Sequence, residues 1–303
     1  MKMNAGIKGV AIATIIAISG VLIFSRTDKE EDKQYNSEFK NEYAVYAIPL
    51  PEQMDFAGES VPLNDPDIHE RIDRELHVNT YWQSNGLLTF KRAHKYFPII
   101  EPILAENGVP DDFKYLAVIE SGLRNVVSPA GAAGYWQFMK TSGREFGLEI
   151  NSEVDERYHL EKATVAACKY LLQAKEKFGS WTLAAASYNM GMGGLNKQLT
   201  RQKEDDYYDL LLNSETSRYV MRILALKEIM EHPKEYGFNF REKDLYPIDK
   251  VKVITIDTAV TNFADFAQER GLSYKTLKYH NPWLRQTYLK NTTGKSYQIK
   301  LPE

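Results

Sequence analysis

The sequence predicts a mainly α protein: a compact all-helical domain followed by a small α+β unit. Three observations lead there. Between Asp67 and His232, apolar residues recur at three- and four-residue spacing in segments broken by Gly, Pro or Asn. No convincing strand interrupts them, as expected for helices packed on helices. After Phe240 the pattern changes to β-branched residues and period-two alternation.

The N-terminal block from Val10 to Phe24 has no charged residue, and Lys2 and Lys8 precede it. Counted from Ala5 it approaches the ~20 residues that cross a bilayer as a helix. Residues 1–25 are therefore expected to be a signal peptide or, preferably, an uncleaved membrane anchor, with the lysines on the cytoplasmic side and the rest exported. Ala17-Ile18-Ser19 is the best cleavage candidate, but cutting there would leave an apolar new terminus. Residues 26–65 are charged, then punctuated by Pro49, Pro51, Pro62 and Pro66, and read as a flexible tether.

The helical domain is expected over residues 66–240. Asp67 is a candidate N-cap, with Ile68, Ile72 and Leu76 on one face of the first helix. Further helices are expected near 90–107, 111–121, 136–146, 161–178, 181–189 and 215–231. In the last unit, residues 250–303, Val251–Ile256 and Lys295–Leu301 read as strands flanking two short helices, a plausible separate small domain.

Composition limits the partner. Of 303 residues, 43% are hydrophobic and 26% charged, and the net charge is -3. No basic field is available for nucleic acid, and a neutral or mildly charged polymer fits better. The 19 Tyr, 13 Phe and 4 Trp suit either core packing or carbohydrate stacking. Cys168 is the single cysteine and reads as a buried small hydrophobe. The six histidines lack metal-ligand spacing, so neither metal nor other cofactor is expected.

Chemistry concentrates in four segments. From Pro110 to Gly122 the sequence reads as a helix whose apolar face carries Phe113, Leu116 and Ala117. Glu120 follows Leu116 and Ala117 by four and three residues, so it shares that face. Burial would raise its pKa toward that of a general acid; an ion-paired core glutamate fits the same pattern. Ser128 to Met139 is rich in small residues. Gly134 would let backbone approach a ligand, Trp136 offers a stacking surface, and Gln137 can both donate and accept; a helix entry with core aromatics is the plainer alternative. Tyr188-Asn189 ends a helix. Glu215-Thr216 with Tyr219 opens another, where Tyr219 could simply be a core residue.

Glu120-Ser121, Gly134-Tyr135-Trp136-Gln137-Phe138-Met139, Tyr188-Asn189 with Gly191, and Glu215-Thr216 with Tyr219, in this order, resemble the signature motifs of the family 1 lytic transglycosylases. Tyr81-Trp82-Gln83, Asp155-Glu156-Arg157 and the Tyr219–Leu226 segment resemble their membrane-bound D-type subgroup. Ser187 departs from the family's usual Ala before Tyr-Asn. The resemblance implies a lysozyme-like all-helical catalytic domain in which Glu120 is the acid/base. Ser121 would orient the carboxyl or the scissile region, and Gln137, Tyr188, Asn189 and Tyr219 would line the cleft. Gly134 and Trp136 would shape its wall. Asp257-Thr258, Phe263, Phe266-Ala267, Leu277 and Asn281-Pro282 resemble a LysM module, a peptidoglycan-binding fold, although Ile256 stands where that module usually has Gly.

Ordinary glycosidases use two carboxylates. Glu145, Glu149 and Glu153 lie in polar surroundings and read as solvated, which leaves Glu120 without a partner. The expected activity is cleavage of the β-1,4 bond between N-acetylmuramic acid and N-acetylglucosamine, closing a 1,6-anhydro ring on the muramic acid. A lysozyme-like hydrolase or a non-catalytic peptidoglycan-binding scaffold are the alternatives. The expected setting is the cell envelope, with peptidoglycan strands as partner and the chain acting as a monomer.

Overall fold

A computed structural model describes residues 30–35, 37 and 45–303. The chain divides into two compact units, 1–47 and 48–303. In the first, residues 30–35 are helical, and Lys33 pairs with Glu30 at 2.8 Å. The expected anchor, 1–25, lies outside the described residues. Among those described, no helix is long and apolar enough to cross a membrane.

Residues 48–65 are not a tether, which corrects the sequence expectation for the second half of 26–65. Strands β1 (Asp55–Phe56) and β2 (Glu59–Ser60) form a short antiparallel hairpin. It is stapled to the helices by long-range contacts that no local pattern reveals. Phe56 is fully buried, with its ring edge-on to Phe113 at 5.1 Å between centroids. The Ala57 N–H donates to Asp112 at 2.6 Å. The Glu59 carboxylate accepts from the Trp181 and Thr182 N–H groups, the Ser180 and Thr182 hydroxyls, and Lys175. Glu59 thereby caps the helix that carries Tyr188 and Asn189.

The helices follow largely as expected. Helix α1 (Pro66–Tyr81) buries Ile68, Ile72 and Leu76; its N-cap is Asp65 rather than Asp67, because Pro66 supplies the first helical residue. Helix α2 (Gln83–Glu106) starts earlier than the sequence indicates and contains Pro98 and Pro102. A 3-10 turn, Asp111–Phe113, leads into α3 (Lys114–Ser121). The helix expected from Trp136 begins only at α4 (Lys140–Glu145), since Gly134 and Gln137 have φ of 82° and 49°. Helices α5 (Leu160–Phe178) and α6 (Trp181–Met190) are followed by α7 (Met192–Gln202), hidden in the sequence by Gly193 and Gly194. Helix α8 (Ser214–Glu231) packs along α1, where Arg218 pairs with the buried Glu75 at 2.7 Å. Cys168 is fully buried in α5, and burial pushes its thiol up to about 12.

The C-terminal unit has the expected order: β3 (Val251–Ile256), α9 (Phe263–Gln268), α10 (Tyr274–His280) and β4 (Tyr297–Pro302), with β3 and β4 antiparallel. It is not set apart as a separate body. Ala133, Val154 and Tyr158 of the helical region belong to the same buried cluster as Phe263, Trp283 and Leu284. Glu149 bonds Lys295 and Tyr297, Lys290 N–H donates to Glu153 at 2.8 Å, and Glu161 bonds Lys300. Glu149 and Glu153 are thus docking residues rather than idle surface charges.

Glu59 yields a stability prediction. Partial burial raises its pKa, but the hydrogen bonds outweigh that and hold the carboxyl at about 2, against 4.5 ordinarily. A depressed pKa stabilises the fold above the unfolded value, and the contribution fades as pH falls from 4.5 toward 2. Glu59→Ala should cost about 2 kcal/mol in urea unfolding at neutral pH, and the gap to the unsubstituted protein should close on acidification.

Candidate active site

Helix α3 presents Glu120 as the sequence indicates. Phe113, Leu116 and Ala117 are fully buried, and Glu120, on the same side, is only partly exposed. Gly122 ends the helix in the left-handed conformation at φ 59°, returning its N–H to Val118 O at 2.8 Å. Glu120 lies one turn from that stop, on a short rigid element.

The carboxyl faces a cleft of about 510 Å³ that Gln137, Phe138, Tyr188, Asn189 and Glu215 also line. Burial pushes its pKa up to about 7, against a Tyr219 hydrogen bond and the charge of Arg222, which both pull it down. The charge of Glu215 adds to the upward push. Tyr219, nearly fully buried in α8, donates its O–H to Glu120 Oε1. Arg222, one turn further on, donates to Ile119 O at 3.3 Å. Glu120 thus sits near the midpoint of its titration at neutral pH, oriented by one donor. A group in that state can give a proton and take one back.

The other candidate residues fall into two sets. Tyr188, Asn189, Gln137 and Tyr219 gather around Glu120. Tyr188 donates its O–H to Trp136 O at 2.8 Å and turns its ring edge toward Phe138 and Tyr170. Asn189 accepts from Thr216 Oγ1 at 2.8 Å and donates to Glu215 at 3.2 Å, joining the end of α6 to the start of α8. Gln137 gives its amide hydrogens to Val126 O and Gly134 O, which leaves its oxygen as the free function.

Ser121, Gly134 and Trp136 act from behind the cleft. The Trp136 ring is fully buried, with Nε1 donating to Thr164 at 2.8 Å, so it offers no stacking surface. It shapes the wall only through its carbonyl, which Tyr188 binds. Gly134 faces protein rather than ligand: a Cβ there would lie 1.8 Å from Arg157 O. The buried Ser121 hydroxyl is bonded to Tyr135 O at 2.8 Å and does not reach the carboxyl of Glu120. It ties the end of α3 to the loop that carries Gln137.

Glu215 was missed as a site residue. Its place in the Glu215-Thr216 segment was the available signal, but only the fold brings it to the same cleft as Glu120. A second carboxylate is therefore present, exposed and held by Asn189.

Comparison with known proteins agrees with this architecture. Residues 97–211 match the Transglycosylase SLT domain, and residues 252–303 match the Soluble lytic transglycosylase C-terminal LysM-like domain. The chain is 28% identical over 251 residues to Membrane-bound lytic murein transglycosylase D of Escherichia coli (strain K12), covering 80% of this chain. It spans 54% of that relative's length, about half. An X-ray structure of an inactive mutant of lytic transglycosylase Slt from Pseudomonas aeruginosa aligns at TM-score 0.37 and 20% identity, over 51% of this chain and 27% of that one. The chain carries an SLT transglycosylase domain of lysozyme-like fold followed by a LysM-like domain. Glu120, Gln137, Tyr188 and Asn189 lie within the first match, and Tyr219 and Glu215 beyond it.

The Tyr219 O–H lowers the pKa of Glu120. Tyr219→Phe should therefore move the carboxyl midpoint upward, by about one pH unit for a bond of that kind. A carbon-13 NMR titration of glutamate-labelled protein reads it; an unmoved midpoint would separate the two residues.

Proposed function

We propose that the protein is a peptidoglycan lytic transglycosylase in which Glu120 acts first as acid and then as base. The observation that carries this reading is a buried carboxyl, poised at about 7, on the wall of the cleft. The matched SLT domain and the name of the Escherichia coli relative supply the polymer: murein.

In this reading, protonated Glu120 gives its proton to the glycosidic oxygen between N-acetylmuramic acid and N-acetylglucosamine, and the C1–O bond breaks. The 2-acetamido oxygen stabilises the positive C1. Glu120, now ionised, takes the proton of the sugar's own C6 hydroxyl as that oxygen bonds C1. A 1,6-anhydro ring closes, Glu120 ends protonated, and no water is consumed. Tyr219 orients the carboxyl. Tyr188 and the Gln137 oxygen face the sugar, while Asn189 fixes the cleft's far rim.

The remaining assignments belong to the same proposal. Residues 1–25 serve as signal or membrane anchor and hold the enzyme in the cell envelope, and residues 26–47 connect them in sequence to the catalytic domain. Residues 48–240 form the catalytic domain. Residues 250–303 bind peptidoglycan, and the chain acts as a monomer. The exposed Glu215 favours one other reading, a hydrolase in which it activates water.

Mass spectrometry of digested peptidoglycan decides between the two. The expected products are 1,6-anhydro muropeptides, reduced by about a thousandfold or more in Glu120→Gln without loss of fold. Products heavier by one water would make the protein a hydrolase using Glu215. Because the acid must start protonated, kcat/KM should fall as pH rises above about 7.

A further inference from the structure

Helix α8 packs antiparallel along α3 and meets it at three levels. Tyr219 donates to Glu120, Arg222 to Ile119 O at 3.3 Å, and Lys227 to Asp112 at 2.8 Å. As α8 advances, its partners recede toward the start of α3, so the two helices hold one register.

The cations along this part of α8 are not treated alike. Arg218 pairs with the buried Glu75 of α1 at 2.7 Å, and Lys227 pairs with Asp112 and Asp55. Arg222, between them and half-buried, makes no ion pair with a described carboxylate. Its hydrogen bond goes to Ile119 O, one of the last-turn carbonyls that a helix cannot satisfy from within itself. A cation there also meets the negative end of the helix dipole.

Glu120 is the next residue, and its charge is what changes in the proposed reaction. The groups that act on its carboxyl come from two helices: Tyr219, Arg222 and Glu215 on α8, and Tyr188 on α6. Burial holds both phenols well above their ordinary range, so they stay neutral. Glu215 repels a negative charge on Glu120, and Arg222 attracts one. From α2 and from the loop after α3, Arg92 and Arg124 bond the carbonyls of Gly122 and Ser121. A half-buried guanidinium without a counter-charge is unfavourable, and Glu120 offers it one only while ionised.

We propose that Arg222 is a positioning residue for the reaction. It fixes the end of α3 through Ile119, and it supplies the counter-charge Glu120 needs between giving one proton and taking the next. This inference rests on the acid-then-base reading of Glu120 and deepens it. Glu215 favours the protonated start, and Arg222 favours the ionised state that follows transfer to the glycosidic oxygen. An interaction that strengthens as the charge develops lowers the barrier rather than merely holding the substrate.

The first test uses the unsubstituted full chain. In a nitrogen-15 NMR titration the Nε signal of Arg222 should move with the midpoint of Glu120, about 7, and should stay still in Glu120→Gln. Arg222→Lys identifies the signal by its loss. The second test measures release of 1,6-anhydro muropeptides from uncross-linked glycan strands. Arg222→Gln should lower kcat about tenfold with little change in KM, because a weaker acid gives up its proton less readily. It should also move the alkaline limb of kcat/KM upward. Arg222→Lys keeps the charge and should restore the limb and most of the rate. An Arg222 signal indifferent to Glu120, or equal losses in both variants with the limb unmoved, would overturn the proposal and leave Arg222 a packing residue. The NMR arm needs neither turnover nor a folded Arg222→Gln protein. Hydrolytic products would sink the transglycosylase reading and leave the coupling standing, whereas anhydro products with an indifferent Arg222 would sink this inference alone.

Discussion

The structure is organised around holding one largely enclosed carboxyl at the end of a short helix. Helix α3 is only eight residues long, too short to hold its shape by hydrogen bonding alone. Its rigidity is borrowed. Leu116 and Ala117 bury one face, Gly122 reverses the backbone, and Ser121 fastens the reversal to the loop at Tyr135. Helix α8 then brings Tyr219 onto the carboxyl from 99 residues away along the chain, a meeting that only tertiary packing can make. Loosening any of these would open the surroundings of Glu120 further and return it toward an ordinary carboxylate.

The same economy explains residues well away from the cleft. Glu59 lies in a hairpin with no polar contact to the site, yet it caps α6, whose far end supplies Tyr188 and Asn189. Gly134 permits the loop to lie against the Arg157 backbone, and Arg157 is held in turn by Asp155 at 2.7 Å. The C-terminal unit presses on that region through Val154 and Tyr158. A unit sharing buried side chains with the helical domain cannot roam on a leash. Its benefit would come from fixed geometry more than from raised local concentration.

The pattern of the sequence carried the helices, the C-terminal β-α-α-β order and the placement of Glu120 on the buried side of α3, because all of these follow from local periodicity. It could not distinguish a tryptophan that stacks on ligand from one that fills the core: Trp136 is decided by Thr164, 28 residues later. The prolines near the start suggested a tether, and the contacts that fold 48–65 down, Phe56 with Phe113 and Glu59 with Trp181 and Thr182, are all long-range. Gly193 and Gly194 masked α7 because propensity is a weak guide where packing dominates. Glu215 stood in a recognised segment, yet its nearness to Glu120 is created by α6 and α8 meeting at Asn189.

The presence of Glu215 sharpens the chemistry. Two carboxylates in one cleft do not make two catalytic groups; environment divides their roles. Glu120 is enclosed and shifted toward neutrality, whereas Glu215 is open to solvent at the rim, with Asn189 holding one oxygen. A base that activates water must sit on the face of the sugar opposite the acid, with space for that water between them. A ring closure by the sugar's own hydroxyl requires only that one group exchange a proton with two oxygens in turn. A carboxyl poised near neutrality and fixed by a single phenol meets that requirement. In the proposed reaction the rim charge of Glu215 contributes by its field, helping to keep Glu120 protonated until the glycosidic oxygen takes the proton.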